Sequence, residues 1–213
     1  LSGKVMDLEK INECSAIIIA KPDTAFSEQD KFIIDQFAMA GGKTLWLIDN
    51  VFASMDSLQN TNITYGLPRP LNLDDQLFKY GVRINNDMVL DIKSGAIPIP
   101  VNKKYELLPW YYFPLVGQSN NNPIVNNMNA VRCEFVSSID TIGARGIKKT
   151  FLLSSSKYTR LLNTPVKIDI RSVFRKPNEA LFNKSSIPVA VLLEGNFESV
   201  FRNRLPPEID SIK

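Results

Sequence analysis

Three short apolar runs stand out along the chain, and each has the make-up of a buried strand. Ala16-Ile17-Ile18-Ile19-Ala20 is wholly apolar and β-branched at its centre, as a strand covered on both faces requires. Thr44-Leu45-Trp46-Leu47-Ile48 repeats the pattern and closes at Asp49-Asn50. Ile187 to Leu193 is the third run and ends at Glu194-Gly195. Between the first two, Lys21-Pro22-Asp23 breaks the strand and Ser27 precedes Asp30 by three residues, close to a capping box, with Glu28 in the same first turn. Ile33, Ile34, Phe37 and Ala40 then recur at helical spacing until Gly41-Gly42, where a glycine is free to take the left-handed cap conformation. Residues 16–48 therefore predict a β-α-β unit with parallel strands.

The pattern is weaker afterwards. Val51 to Pro70 is polar and turn-rich. Asn72 or Asp74 starts a short helix with Leu73, Leu77, Phe78 and Tyr80 on its apolar side, ending at Gly81. Val82 to Asp91 alternates like a strand. Residues 92–130 read as irregular, because Pro98, Pro100, Pro109, Pro114 and Pro123 interrupt them. Strand patterning returns at Val131–Phe135, Thr150–Leu153 and Val166–Ile170. Apolar strands alternating with helices predict an α/β sheet covered on both faces. The domain reading is a single α/β domain over residues 1–213, with a proline-rich, β-containing insertion at 92–130.

Composition narrows the class. At 213 residues with 44% hydrophobic and 22% charged side chains, the chain is long enough to bury a core without a disulfide or metal staple. No apolar run approaches the roughly 20 residues of a membrane span, and no signal-peptide pattern is present. The chain starts at Leu1 rather than Met and stops at Lys213, which reads as a fragment of a larger protein with any membrane anchor outside it. Net charge is +3; residues 1–106 carry 11 basic and 14 acidic groups, so the remaining 14 basic and 8 acidic groups give the second half +6. The basic residues are scattered, Lys103-Lys104 being one of three adjacent pairs, so they read as a solvated surface and not as a nucleic-acid stripe. Cys14 and Cys133 either pair or, the favoured reading, remain two buried thiols.

The chain has no histidine, which removes Ser-His-Asp and Cys-His nucleophile activation and His-ligated metal sites. Gly42-Lys43-Thr44 imitates the end of a P-loop, but Phe37 occupies the required first glycine and the order is helix, glycines, strand. Ser154-Ser155-Ser156-Lys157 matches S-x-x-K without its companion motifs and reads as a turn. Asp140-Thr141 lacks the following glycine of an aspartic-protease loop. Asp74-Asp75 reads as a helix cap, and Asp87 with Asp91 as a weak metal candidate. No catalytic residue, metal or cofactor is expected. Two features remain as a ligand or partner surface. Asp49 and Glu194 each follow a predicted parallel strand, where open α/β sheets place their crevice. Trp110, Tyr111, Tyr112 and Phe113 lie between Pro109 and Pro114 and suit either a sugar, peptide or protein contact or a loop folded onto the core.

Several segments in order resemble one family. They are Ala20-Lys21-Pro22 with Phe26-Ser27-Glu28, Gly41-Gly42-Lys43 with Leu45 to Asp49, Pro109 to Leu115, Asn122-Pro123-Ile124-Val125, Phe135 to Asp140, Leu152 to Ser156, and Ile187 to Phe197. Together they are similar to the GldG family of gliding-motility ABC-transport auxiliary proteins, although Asn122 stands where the family pattern has His before Pro. The resemblance implies a three-layer α/β sandwich with a mainly parallel sheet, flavodoxin-like and class I amidotransferase-like, without catalytic Cys and His, with further strands after Phe197. It implies a non-enzymatic accessory domain on the periplasmic side of the cytoplasmic membrane, held by flanking helices outside this chain. Its partners would be an ABC permease and ATPase. The rival readings are a sugar- or peptide-binding module with an aromatic-lined crevice, and a degenerate hydrolase or amidotransferase using Cys14 or Cys133.

Overall fold

A computed structural model describes residues 10–203 apart from Asn12 and Lys103; the two termini, and Lys103 of the basic pair, lie outside the described residues. The chain opens with the predicted elements but not the predicted burial, since each strand buries only one face and Ile18, Leu45 and Leu47 are 67%, 50% and 48% exposed. Strand β1 (Ala16–Ala20), helix α1 (Glu28–Met39) and strand β2 (Lys43–Leu47) form the β-α-β unit. The strands are parallel, with Ile18 opposite Leu45. Ser27 caps α1 by accepting the Asp30 amide at 3.0 Å, and Gly41 takes the left-handed conformation just past Ala40, at φ 92°. Lys31, in the first turn of this helix, is fully buried. Its ammonium reaches Glu28 at 2.9 Å and Asp75 at 2.7 Å, so the charge is compensated where it leaves water.

The remainder departs from the predicted parallel sandwich. Strand β3 (Val51–Phe52), helix α2 (Met55–Thr61), strand β4 (Ile63–Pro68), helix α3 (Asp74–Tyr80), strands β5 (Val82–Ile84) and β6 (Asp87–Asp91) follow. Then come β7 (Ser94–Val101), β8 (Lys104–Gln118), β9 (Val131–Arg132), β10 (Ile139–Thr141), β11 (Ile147–Ser154), β12 (Thr159–Asn163), β13 (Val166–Asp169) and β14 (Pro188–Gly195). Every pairing after β1–β2 is antiparallel among the described residues. The largest sheet runs β14-β11-β8-β7, and the whole is a curled half-barrel of mostly antiparallel strands. The flavodoxin-like, amidotransferase-like fold is therefore overturned. A short connection such as the β7–β8 turn at Asn102 can join only antiparallel neighbours, whereas a parallel pair needs a crossover of a dozen residues or more. After α1 the described residues supply no crossover helix of that kind. The apolar run at 187–193 predicts a buried parallel strand, but β14 is only half-buried and runs antiparallel to β11.

Residues 92–130 were misread for a related reason. β7 and β8 form a long hairpin in which Pro98 lies opposite Leu107 and Pro100 opposite Tyr105. β7 is the edge of its sheet, the position where a strand tolerates residues that cannot donate. Ile97 and Ile99 on this strand point into the main core with Met88, Leu90, Trp110 and Phe113. A second core joins Leu71, Leu73, Leu77 and Val82 to Trp46 on β2 and Leu193 on β14. Phe78, expected on the apolar side of α3, is 56% exposed.

Candidate functional site

The aromatic cluster is core. Trp110 is fully buried, and Tyr112 and Phe113 nearly so, because β8 crosses the interior of the half-barrel. The Trp110 ring lies 4.9 Å from Tyr112, 5.5 Å from Phe113 and 6.0 Å from Phe135, at the tilted and edge-to-face angles that aromatic pairs favour. Its indole N–H donates to Ser172 Oγ at 2.9 Å. Burial pushes the Tyr112 hydroxyl pKa well above its usual range. Tyr111, half-buried, packs on Tyr112 and Phe182. These side chains come together, but facing each other and not a ligand.

The two carboxylates do not join them. Asp49, just past β2, pairs with Lys21 at 3.3 Å. Glu194 is no strand-end residue of a parallel sheet; it lies within β14, directly across from Lys148 of β11, and pairs with it at 3.3 Å. All four side chains are substantially exposed, so each pair contributes little to stability. Among the described residues no hydrogen bond, ion pair or ring contact links either carboxylate to Trp110–Phe113.

Three other aspartates are buried, and each is satisfied by hydroxyls and amides. Asp35 accepts from the Tyr80 hydroxyl at 2.8 Å, Ser199 Oγ at 2.6 Å and the Val200 amide at 3.2 Å. Asp87 accepts the Ser138 amide and hydroxyl at 2.9 and 2.7 Å. Asp91 accepts the Lys93 amide, the Ser156 amide and hydroxyl, and the Thr159 hydroxyl. Buried charge held by several donors is a structural staple. Among the described residues no His, Cys, Asp or Glu group is arranged to hold a metal ion, so the Asp87 and Asp91 pair is spent on the fold. The N-cap of α3 is Leu73, without a side-chain bond, but Asp75 accepts the first-turn Gln76 amide at 2.9 Å and also holds Lys31.

Open cavities lie on the surface of the described residues. One, about 590 Å³, lies where β8, β11 and β14 meet the Ser154–Lys157 turn. Another, about 600 Å³, is lined by Phe78, Arg83, Asp140 and Phe151. In it the Arg83 guanidinium, 2.6 Å from Asp140, holds that carboxyl below its ordinary range. Sequence reasoning missed both, since each is built from distant strands; the Ser154–Lys157 run was the one visible signal. Cys14 is exposed and Cys133 half-buried, and both are free. Burial, with Asp49 nearby, raises the Cys133 thiol pKa.

No helix among the described residues is long and apolar enough to cross a membrane. Among solved structures, the chain is similar to the "mmIFT52 N-terminal domain" at 16% identity with a TM-score of 0.46, covering 76% of this chain and 64% of that one. It thus spans less than two thirds of that structure's length. No curated protein matches the chain. A family model described as "ABC-type uncharacterized transport system" matches residues 4–213. That match takes in nearly the whole sequence, and the chain belongs to this family of ABC transport auxiliary components.

Proposed function

We propose that this chain is a non-catalytic, extracytoplasmic interaction domain of an ABC transport system of the gliding-motility, GldG type. It works beside a permease and an ATPase and is anchored at the periplasmic side of the cytoplasmic membrane by segments outside this sequence. The match of residues 4–213 to the transport family carries this reading, and the ordered GldG-like segments refine it.

The chemistry of the side chains supports a role without turnover. No histidine can activate a hydroxyl or thiol. Cys133 has its pKa raised, the opposite of an activated nucleophile. In the S-x-x-K run the motif's serine, Ser154, ends strand β11 instead of opening a helix, and Ser155 and Ser156 are tied to Thr159, the Ile187 amide and Asp91. The sugar- or peptide-binding alternative loses its motive, because the rings it needed are packed inside.

The test is a pull-down of the tagged, full-length parent protein from native membranes. Recovery of an ABC permease and its ATPase is the expected result. A protein recovered free of both would overturn the accessory reading.

A further inference from the structure

The Ser154–Lys157 run forms one wall of the cavity of about 590 Å³. Charge on that wall is one-sided. Lys93, Lys149 and Lys157 line it, and no Asp or Glu does. Among the described residues none of the three ammonium groups forms an ion pair. Lys149 leans towards Gly81, which leaves Lys93 and Lys157 as the other lining cations; the Lys157 ammonium stands 5.0 Å from the Tyr158 ring centroid. The Ser119, Thr150 and Ser154 side chains also line the cavity, and among the described residues their hydroxyls form no hydrogen bond to protein.

The wall is fixed from behind. Asp91 is fully buried and accepts the Lys93 amide at 2.8 Å, the Ser156 amide at 2.6 Å, the Ser156 hydroxyl at 2.7 Å and the Thr159 hydroxyl at 3.1 Å. One carboxylate thus ties the Lys93 bend to the Ser156–Lys157 turn while presenting no charge to the cavity surface. Across the β8–β11 pairing, Gly117 lies opposite Ser154, and a Cβ on Gly117 would meet no heavy atom within 4 Å. The space in front of it is open.

Cations and unspent hydroxyl donors without an acid select an anion with a polar body. Lysine acts as a point charge suited to phosphate, and the volume lies within the range of small-molecule sites. We infer that this cavity binds a phosphate-bearing polyol, either a free phosphate ester or the phosphoglycerol headgroup of a lipid. The cavity is open to solvent, so an affinity in the millimolar range is expected for the small ester.

Two titrations of the 213-residue chain test this. In the first, glycerol 3-phosphate is followed by amide NMR. Saturable shifts are expected at Lys93, Ser119 and Ser154 to Lys157, with glycerol alone giving none. The double variant Lys93→Glu/Lys157→Glu, and separately Gly117→Leu, weaken binding by about tenfold or more. In the second, co-sedimentation with phosphatidylglycerol vesicles but not phosphatidylcholine vesicles, lost in the same variants, assigns the phosphate to a lipid headgroup. Saturation by the soluble ester alone assigns it to a free metabolite. Absence of saturation in both arms, or binding unchanged in both variants, overturns the proposal. The permease and ATPase pull-down is read independently, so either idea can fail without the other.

Discussion

At the scale of single residues, environment decides what the sequence leaves open. Trp110 has the composition of a contact residue and the location of a core residue, so its main effect is on stability. Trp110→Ala is expected to cost about 3–5 kcal/mol, the usual range for removing a large buried ring, measured by urea denaturation. A cost under about 1 kcal/mol, the level of an ordinary surface substitution, would return the ring to the surface. Asp169 shows the converse case of a half-buried group at the surface that is strongly tuned. Arg171 grips it with two guanidinium nitrogens at 2.8 and 2.7 Å, and this pair holds its pKa down to about 2 from 3.8. A depressed folded-state pKa means the stabilisation is present above the ordinary value and disappears as pH falls through about 2. Arg171→Ala should move the Asp169 carboxyl titration, followed by NMR, back towards 3.8; an unmoved titration would assign the shift elsewhere. The acid–amide spacing Asp169-x-Arg171 was in the sequence, but its charge pairing needed the turn that follows β13.

At the scale of elements, local rules held where the element is self-sufficient. β1, α1 and β2 were legible because the breaker at Lys21-Pro22, the Ser27 cap and the Gly41 terminator each act within a few residues. The β7–β8 hairpin was not legible, because proline at an edge strand and proline in a loop look alike without knowing which strand is the edge. β11 and β14 illustrate a contact that sequence cannot express. Gly195 sits at φ 139°, and a Cβ there would run into the Gly146 carbonyl oxygen. Gly195→Ala is therefore expected to destabilise the chain by more than about 1 kcal/mol and to speed amide exchange at Ile147 to Lys149, the register partners beside it. Unchanged exchange would show that the backbone yields there without strain.

At the scale of the whole molecule, buried aspartates join segments far apart in sequence. Asp35 on α1 ties Tyr80 at the end of α3 to Ser199 and Val200, and Phe32 and Tyr80 cover the same junction against Phe201 and Phe197. Asp35→Ala strands several donors at once and is expected to cost more than about 2 kcal/mol, with faster proteolysis near Phe197; wild-type resistance and stability would show that the aromatic contacts suffice. The sequence by itself determined the β-α-β opening, the absence of histidine chemistry, and the family resemblance, since these rest on local spacing and residue identity. The tertiary structure alone decided strand direction beyond β2, the inward turn of Trp110, Tyr112 and Phe113, and the separation of Asp49 and Glu194 from them. It also gathered Lys93, Ser119 and the Ser154–Lys157 turn around one cavity. The physical reason is the same throughout. Local spacing fixes an element and its ends, but burial, pairing direction and shared cavities depend on how distant segments close on one another.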